Sequence, residues 1–243
     1  MKLIKINIMD QLLEMNLNNA LIFGGTSEIA KEISKDLSKN YNITSVSRRN
    51  SKNKNYVKEI LIFFDSKKFP KKKLAKNLQK KFSLVIFYQA FQPKYKKKFY
   101  ELDKKIIDNV LNVNAIFSAK AVTFLLNEKF LSKSCKVIFF SSRSGSISER
   151  GTKKHHKPGG NNLYRVSKSA LNSFIKNLYF EFKNTNYLFI SYHPGWVQTK
   201  SSGGNKKAFS KKFVAKKFLQ NLKKFKPRHS GEFLNYNLKK IPW

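Results

Sequence analysis

The chain's 243 residues suffice for one large domain with a substantial buried core and fall short of two full ones. A hydrophobic content of 41% with 22 Phe and 10 Tyr excludes a disordered chain, while the single cysteine, Cys135, excludes a disulfide framework or a cysteine-built metal site and suits a reducing, cytoplasmic setting. Lysine and arginine outnumber aspartate and glutamate by 50 to 14, a net charge of +36, but they run through the whole chain beside abundant Asn, Ile and Phe, so a solvated, codon-biased surface is expected rather than nucleic-acid binding.

Residues 1–18 read as an N-terminal arm, with Met15 a second candidate start. Asp10 and Glu14 interrupt its apolar positions and no small-residue cleavage site follows, which argues against a secretory signal. No run approaches the roughly 18 apolar residues of a membrane span. From residue 19 to 243 a single domain is expected, with short apolar runs alternating with amphipathic segments. Strands are predicted at 20–23, 42–46, 59–64, 83–88, 136–141 and 187–192, and a closing strand at 231–236. Several are nearly unbroken Val, Ile, Leu and Phe, as strands covered on both faces require. Helices are predicted around Ile29, Ile33 and Leu37, around Ile107 and Leu111, and around Ala119, Val122, Leu125 and Leu126. Two more follow around Leu171, Phe174, Ile175 and Leu178, and around Val214, Phe218, Leu222 and Phe225. The alternation predicts an α/β chain with a doubly wound (Rossmann) parallel sheet of about seven strands. Ligands of such sheets bind beyond the carboxyl ends of the strands, where strand order reverses.

The residues directly after the strands carry the functional signal. After the first strand, Gly24 and Gly25 permit a sharp turn and close approach of a ligand, and Thr26 and Ser27 offer hydroxyls and a helix cap. The helix that follows presents free N–H groups and a positive dipole end to a pyrophosphate. Folds that prefer NAD place a carboxylate on the ribose about 20 residues further on. Here "SVSRRN" puts Ser47, Arg48 and Arg49 at that place, and arginine's planar fork suits a phosphate, so NADP(H) is expected over NAD(H). Tyr164 and Lys168 stand four apart in "LYRVSKSALN", on one face of a predicted helix.

Six stations occur in order: "FGGTSEIA", "YQAF", "NVNA", "SSRSG", "YRVSK" and "HPGWVQT". Together they resemble the single-domain short-chain dehydrogenase/reductases, over nearly the whole of residues 19–243. The ending "SGEFLNYNLKKIPW" is similar to that of the C-factor-like members. The resemblance implies carbonyl–alcohol interconversion by hydride transfer, with Tyr164 as general acid/base. Lys168 is expected to lower the phenol's pKa, ordinarily near 10, and to reach the nicotinamide ribose. Ser142, rather than Ser141, is expected to hold the substrate carbonyl, and Asn114, rather than Asn112, to order a proton-relaying water.

The same resemblance implies a cofactor set that adds Glu28, Ile29, Gln89 and Ala90 to the residues above. Pro194, Gly195, Val197 and Thr199 follow the sixth strand, and Asp65 is a candidate for the adenine amine. It further implies a small-molecule carbonyl or alcohol substrate and a homodimer or homotetramer. Two departures stand out. Glu28 and Ala30 replace the family's second and third glycines, and only Ala90 survives of its N-N-A-G. These motivate an alternative, a nucleotide-binding regulatory protein with catalysis lost; the charge motivates another, a basic nucleic-acid or membrane-surface binder. Ser142 and Tyr164 are 22 positions apart, longer than is usual in the family, and the loop between them carries Lys153, Lys154 and Lys157. His155 and His156 in that loop are adjacent and diverge, so no metal site is expected.

Overall fold

The computed structural model describes residues 18–64, 69–92, 103–152, 161–199 and 205–243. Seven strands form one parallel sheet: β1 (Asn18–Phe23), β2 (Tyr41–Ser47), β3 (Lys58–Leu61), β4 (Phe82–Phe87), β5 (Leu131–Phe140), β6 (Leu188–His193) and β7 (Phe233–Asn235). Their spatial order is β3-β2-β1-β4-β5-β6-β7, so the chain winds outward from β1, returns, and winds outward on the other side from β4. The reversal lies between β1 and β4, whose last residues Phe23 and Phe87 are register partners.

Alternate side chains of the central strands enter two separate cores. Leu21, Phe23, Val85, Phe87, Val137 and Phe139 point to one face, Ala20, Ile22, Leu84, Ile86, Ile138 and Phe140 to the other. On the first face Phe23, Phe87 and Phe139 stack strand to strand with centroids 4.7 Å apart at each step. Burying each such ring contributes about 1.5–3 kcal/mol. That face is covered by α2 (Lys71–Asn77), by α5 (Asn162–Glu181), and by a composite helix of α3 (Lys104–Leu111), a π-helical turn (Asn112–Ile116) and α4 (Phe117–Asn127). The second face is covered by α1 (Glu28–Leu37) and α6 (Lys211–Lys224).

Four features differ from the sequence expectation, one being that β5 begins at Leu131 and not at 136. The third strand stops at Leu61 rather than Phe64, because its one neighbour, β2, ends at the paired Ser47. The short helix α2 was not expected, since among its lysines only Leu74 is buried. Finally, the composite helix Lys104–Asn127 is long and apolar enough to cross a membrane, contrary to the absence of such a run expected above. Over half of its most apolar window, 56%, is buried inside the protein, which identifies it as a core helix of the sheet.

Candidate active site

The turn after β1 is held tightly against the end of β4. Gly24 adopts φ +84°, and a side chain there would place its Cβ 2.6 Å from the Gln89 backbone nitrogen. Ser27 caps α1 by accepting from the Ala30 N–H at 3.0 Å. A crevice of about 640 Å³ opens here and runs to Tyr164 and Lys168. Along it lie Gly24, Thr26, Ser27, Glu28 and Ile29, then Arg48, Gln89 and Ala90, then Pro194 and Thr199.

At the far end the chemistry-bearing residues converge from different elements. Ser142 caps the 3₁₀ turn Arg143–Gly145 after β5 and lies close enough to the Tyr164 hydroxyl to influence its pKa. Ser141 is buried and donates to Asn172 Oδ1 at 2.7 Å, and it rather than Ser142 is among the residues lining the crevice. Lys168 is 1% exposed; its Nζ donates to the Phe140 carbonyl at 2.9 Å and lies 5.7 Å from the centre of the Tyr164 ring. Gly145 lets the serine turn lie directly on α5, since a Cβ there would come within 2.8–2.9 Å of Lys168 backbone atoms.

The electrostatics of the pair run against one expectation. Loss of solvent raises the pKa of Tyr164, and the nearby Ser142 hydroxyl lowers it only in part. Burial pulls Lys168 down to about 8. The ammonium that was to acidify the phenol is itself desolvated, and its nearest tie is to a backbone carbonyl. Burial therefore outweighs the attraction between them.

Asn114 is fully buried in the π-helical turn, while Asn112 closes α3. Its Oδ1 accepts from the Phe91 N–H at 2.6 Å, and its Nδ2 donates to the Phe91 carbonyl and to Ser167 Oγ, both at 2.9 Å. Ser167 in turn donates to the Tyr164 carbonyl at 2.7 Å. The side chain thus ties the station after β4 to the helix carrying the tyrosine.

Four expected cofactor residues do not line the crevice. Ser47 is buried, its hydroxyl 3.3 Å from that of Ser45, and Arg49 is exposed beyond the lining. Val197 is buried in a bridge to Phe209, and Gly195 packs under the Phe209 ring. Asp65 and the loop lysines and histidines at 153–157 lie outside the described residues.

The residues present fit a dinucleotide. Gln89 Oε1 and Tyr88 Oη, both on crevice-lining residues, are buried without a hydrogen-bond partner among the described residues. Arg48 and Lys31 line the same crevice and supply positive charge.

The profile of the family described as short chain dehydrogenase matches residues 18–208. The chain belongs to the short-chain dehydrogenase family. Over 108 residues it is 30% identical to C-signal of Myxococcus xanthus, a match covering 44% of this chain and 61% of that protein, less than two thirds of its length. In fold it is similar to the carbonyl reductase Sniffer of D. melanogaster, with a TM-score of 0.78 and 20% identity over 94% of this chain and 100% of that one. It is also similar to an NADPH-bound carbonyl reductase from chicken fatty liver, with a TM-score of 0.77 and 20% identity over 93% and 99%.

This short-chain dehydrogenase has lining residues beyond the expected cofactor set: Lys31, Phe64 and Phe140, and, from within the quoted stations, Tyr88, Val113 and Ser141. Lys31 was accessible to reasoning, being one helical turn beyond Ser27 on α1. Tyr88 opens the quoted "YQAF" station, where an aromatic ending an apolar strand reads as core rather than as lining.

Proposed function

We propose that this chain is an NADP(H)-dependent oxidoreductase that interconverts a carbonyl and an alcohol. The observation that carries the reading is the meeting of Tyr164, Ser142 and Lys168 at the end of a crevice whose other end is a glycine turn and a helix N-terminus. The nicotinamide, when bound, supplies or accepts the hydride at the substrate's carbonyl carbon. Ser142 donates a hydrogen bond to the carbonyl oxygen and orients it toward Tyr164. The Tyr164 hydroxyl gives that oxygen its proton during reduction and takes it back during oxidation. Lys168, four residues along the same helix face, opposes the negative charge left on the phenolate. Preference for NADP(H) is supported by Arg48 and Lys31 on the crevice and by the lack of a carboxylate at the end of β2.

A second reading keeps dinucleotide binding and loses catalysis, and Glu28 in the first turn of α1 is the observation in its favour. Following NADPH oxidation at 340 nm across a panel of aldehydes and ketones, with Tyr164→Phe as control, separates the two. Turnover abolished in the variant supports the enzyme; tight NADPH binding with no turnover on any carbonyl supports the regulator. Exposed Ile147 and Val166, beside the serine turn and on α5, suit a homodimer or homotetramer, which sedimentation velocity would measure.

A further inference from the structure

Glu28 is the residue of the turn least suited to a pyrophosphate. It occupies the first turn of α1, where the free N–H groups and positive dipole end would otherwise meet an anion. A cation from a distant part of the chain meets it. Lys211, the first residue of α6, places its Nζ 2.7 Å from Glu28 Oε2. That lysine is poorly placed for its own helix, whose first turn contains no acidic residue against a dipole that favours anions there. Glu28 raises the pKa of Lys211 by hydrogen bond and by charge and keeps it an ammonium. The two side chains are 43% and 31% exposed, so the tie contributes little to folding and stays open to solvent, with Glu28 itself on the crevice lining.

The neighbouring wall is also prepared for a polar guest. Gln89 Oε1 and Tyr88 Oη are 93–94% buried by residue, line the crevice together with Glu28, and have no partner among the described residues. An acceptor and a hydroxyl left unpaired at such depth are costly unless a ligand's hydroxyls or phosphates complete them.

We propose that Lys211 is this chain's pyrophosphate-binding residue, and that Glu28 is a resident carboxylate holding its ammonium over the turn until a dinucleotide's diphosphate takes it over. The proposal rests on the dinucleotide-binding reading above. The diphosphate carries more negative charge than one carboxylate and also meets the N–H groups of α1, so it wins the ammonium. Glu28, left beside it, opposes it. The two partners of the ion pair therefore act on binding with opposite signs, whereas a purely structural tie would make the loss of either one harmful.

Fluorescence titration with NADPH of the full chain, of Lys211→Met and of Glu28→Gln tests this, with 2′-AMP, which lacks the diphosphate, as the second probe. Lys211→Met is expected to weaken NADPH roughly ten- to a hundredfold and to leave 2′-AMP within about twofold. Glu28→Gln is expected to tighten NADPH severalfold, and melting temperatures of both variants to stay within a few degrees of the parent. Weakening by both variants, or no change in Lys211→Met while the parent binds NADPH, overturns the proposal. A parent that binds neither NADPH nor 2′-AMP overturns the dinucleotide reading beneath it.

Discussion

The two ends of the crevice are held by different forces. At the chemical end Lys168 and Asn114 are buried, Ser142 lies beside the Tyr164 hydroxyl, and Gly145 seats the serine turn on α5 backbone. At the cofactor end Arg48 is exposed, and the Glu28–Lys211 pair keeps a good part of its surface in water. Packing fixes the first end, and screened charge tunes the second. Substitutions at the chemical end should therefore lower kcat and resist salt, and those at the cofactor end should change Kd and respond to it.

The sharpest division is expected from Tyr164→Phe. The change removes one hydroxyl and keeps the ring, so NADPH affinity should move by less than about twofold. Carbonyl reduction should fall about 10²–10⁴-fold, the usual contribution of a positioned acid–base group. Steady-state kinetics beside a binding titration check both numbers, and a comparable loss in Kd would erase the distinction between the ends.

Gly145→Ala is the next largest. The added methyl meets backbone atoms of α5 at Lys168, which cannot swing aside as a flexible side-chain tip would. Relief requires the serine turn to lift, at about 1–3 kcal/mol of stability. The expected result is a lower melting temperature together with a kcat loss that exceeds any change in the KM for NADPH. An unchanged kcat would show that the seating of this turn does not govern the chemistry.

The sheet was legible in the sequence because buried parallel strands are written as unbroken apolar runs, and the order of the stations located the crevice. Thr26, Ser27, Arg48, Tyr164 and Lys168 were found because each directly follows a strand or shares a helix face with another. What stayed hidden depends on three-dimensional contact. The register shift between Phe82 and Leu84 that lets β5 begin at Leu131 leaves no trace in residue types. Neither does the π-helical turn that sends Asn114 inward to Phe91. Four-residue spacing gives Lys168 proximity to Tyr164 and says nothing about desolvation, the largest effect on both groups. Lys211 lies 183 positions from Glu28, beyond the reach of any local pattern.

The pH profile sharpens the comparison further. Burial lowers Lys168 to about 8 from its ordinary 10.5, so the folded protein binds this proton less tightly than the unfolded chain does. Its contribution to stability is accordingly unfavourable in full below pH 8 and is relieved as pH rises from about 8 toward 10.5. Its contribution to the proposed catalysis has the opposite sense. The ammonium is present below about 8 and lost above it, while Tyr164, raised by burial, still holds its proton there. For carbonyl reduction, kcat/KM should therefore decline on the alkaline side with a midpoint near 8. A plateau persisting to pH 10 would mean that the charge of Lys168 is not used.

The smallest effect, and the one most sensitive to conditions, belongs to the two arginines after β2. Arg48 lines the crevice and Arg49 does not, although the sequence offers them as equals. Arg48→Ser should weaken NADPH by about tenfold at low salt, as loss of a charge-assisted phosphate contact does, and leave NADH unaffected. Arg49→Ser should change either cofactor by less than about twofold, its guanidinium acting only through screened solvent. Raising the salt should shrink the Arg48 effect, because an exposed pair is attenuated within a Debye length of about 8–10 Å. Titrating both variants with both cofactors at two salt concentrations measures all of this. Equal losses from the two substitutions would place the 2′-phosphate outside the crevice, over the loop after β2, and would reassign the cofactor preference to that loop's field as a whole.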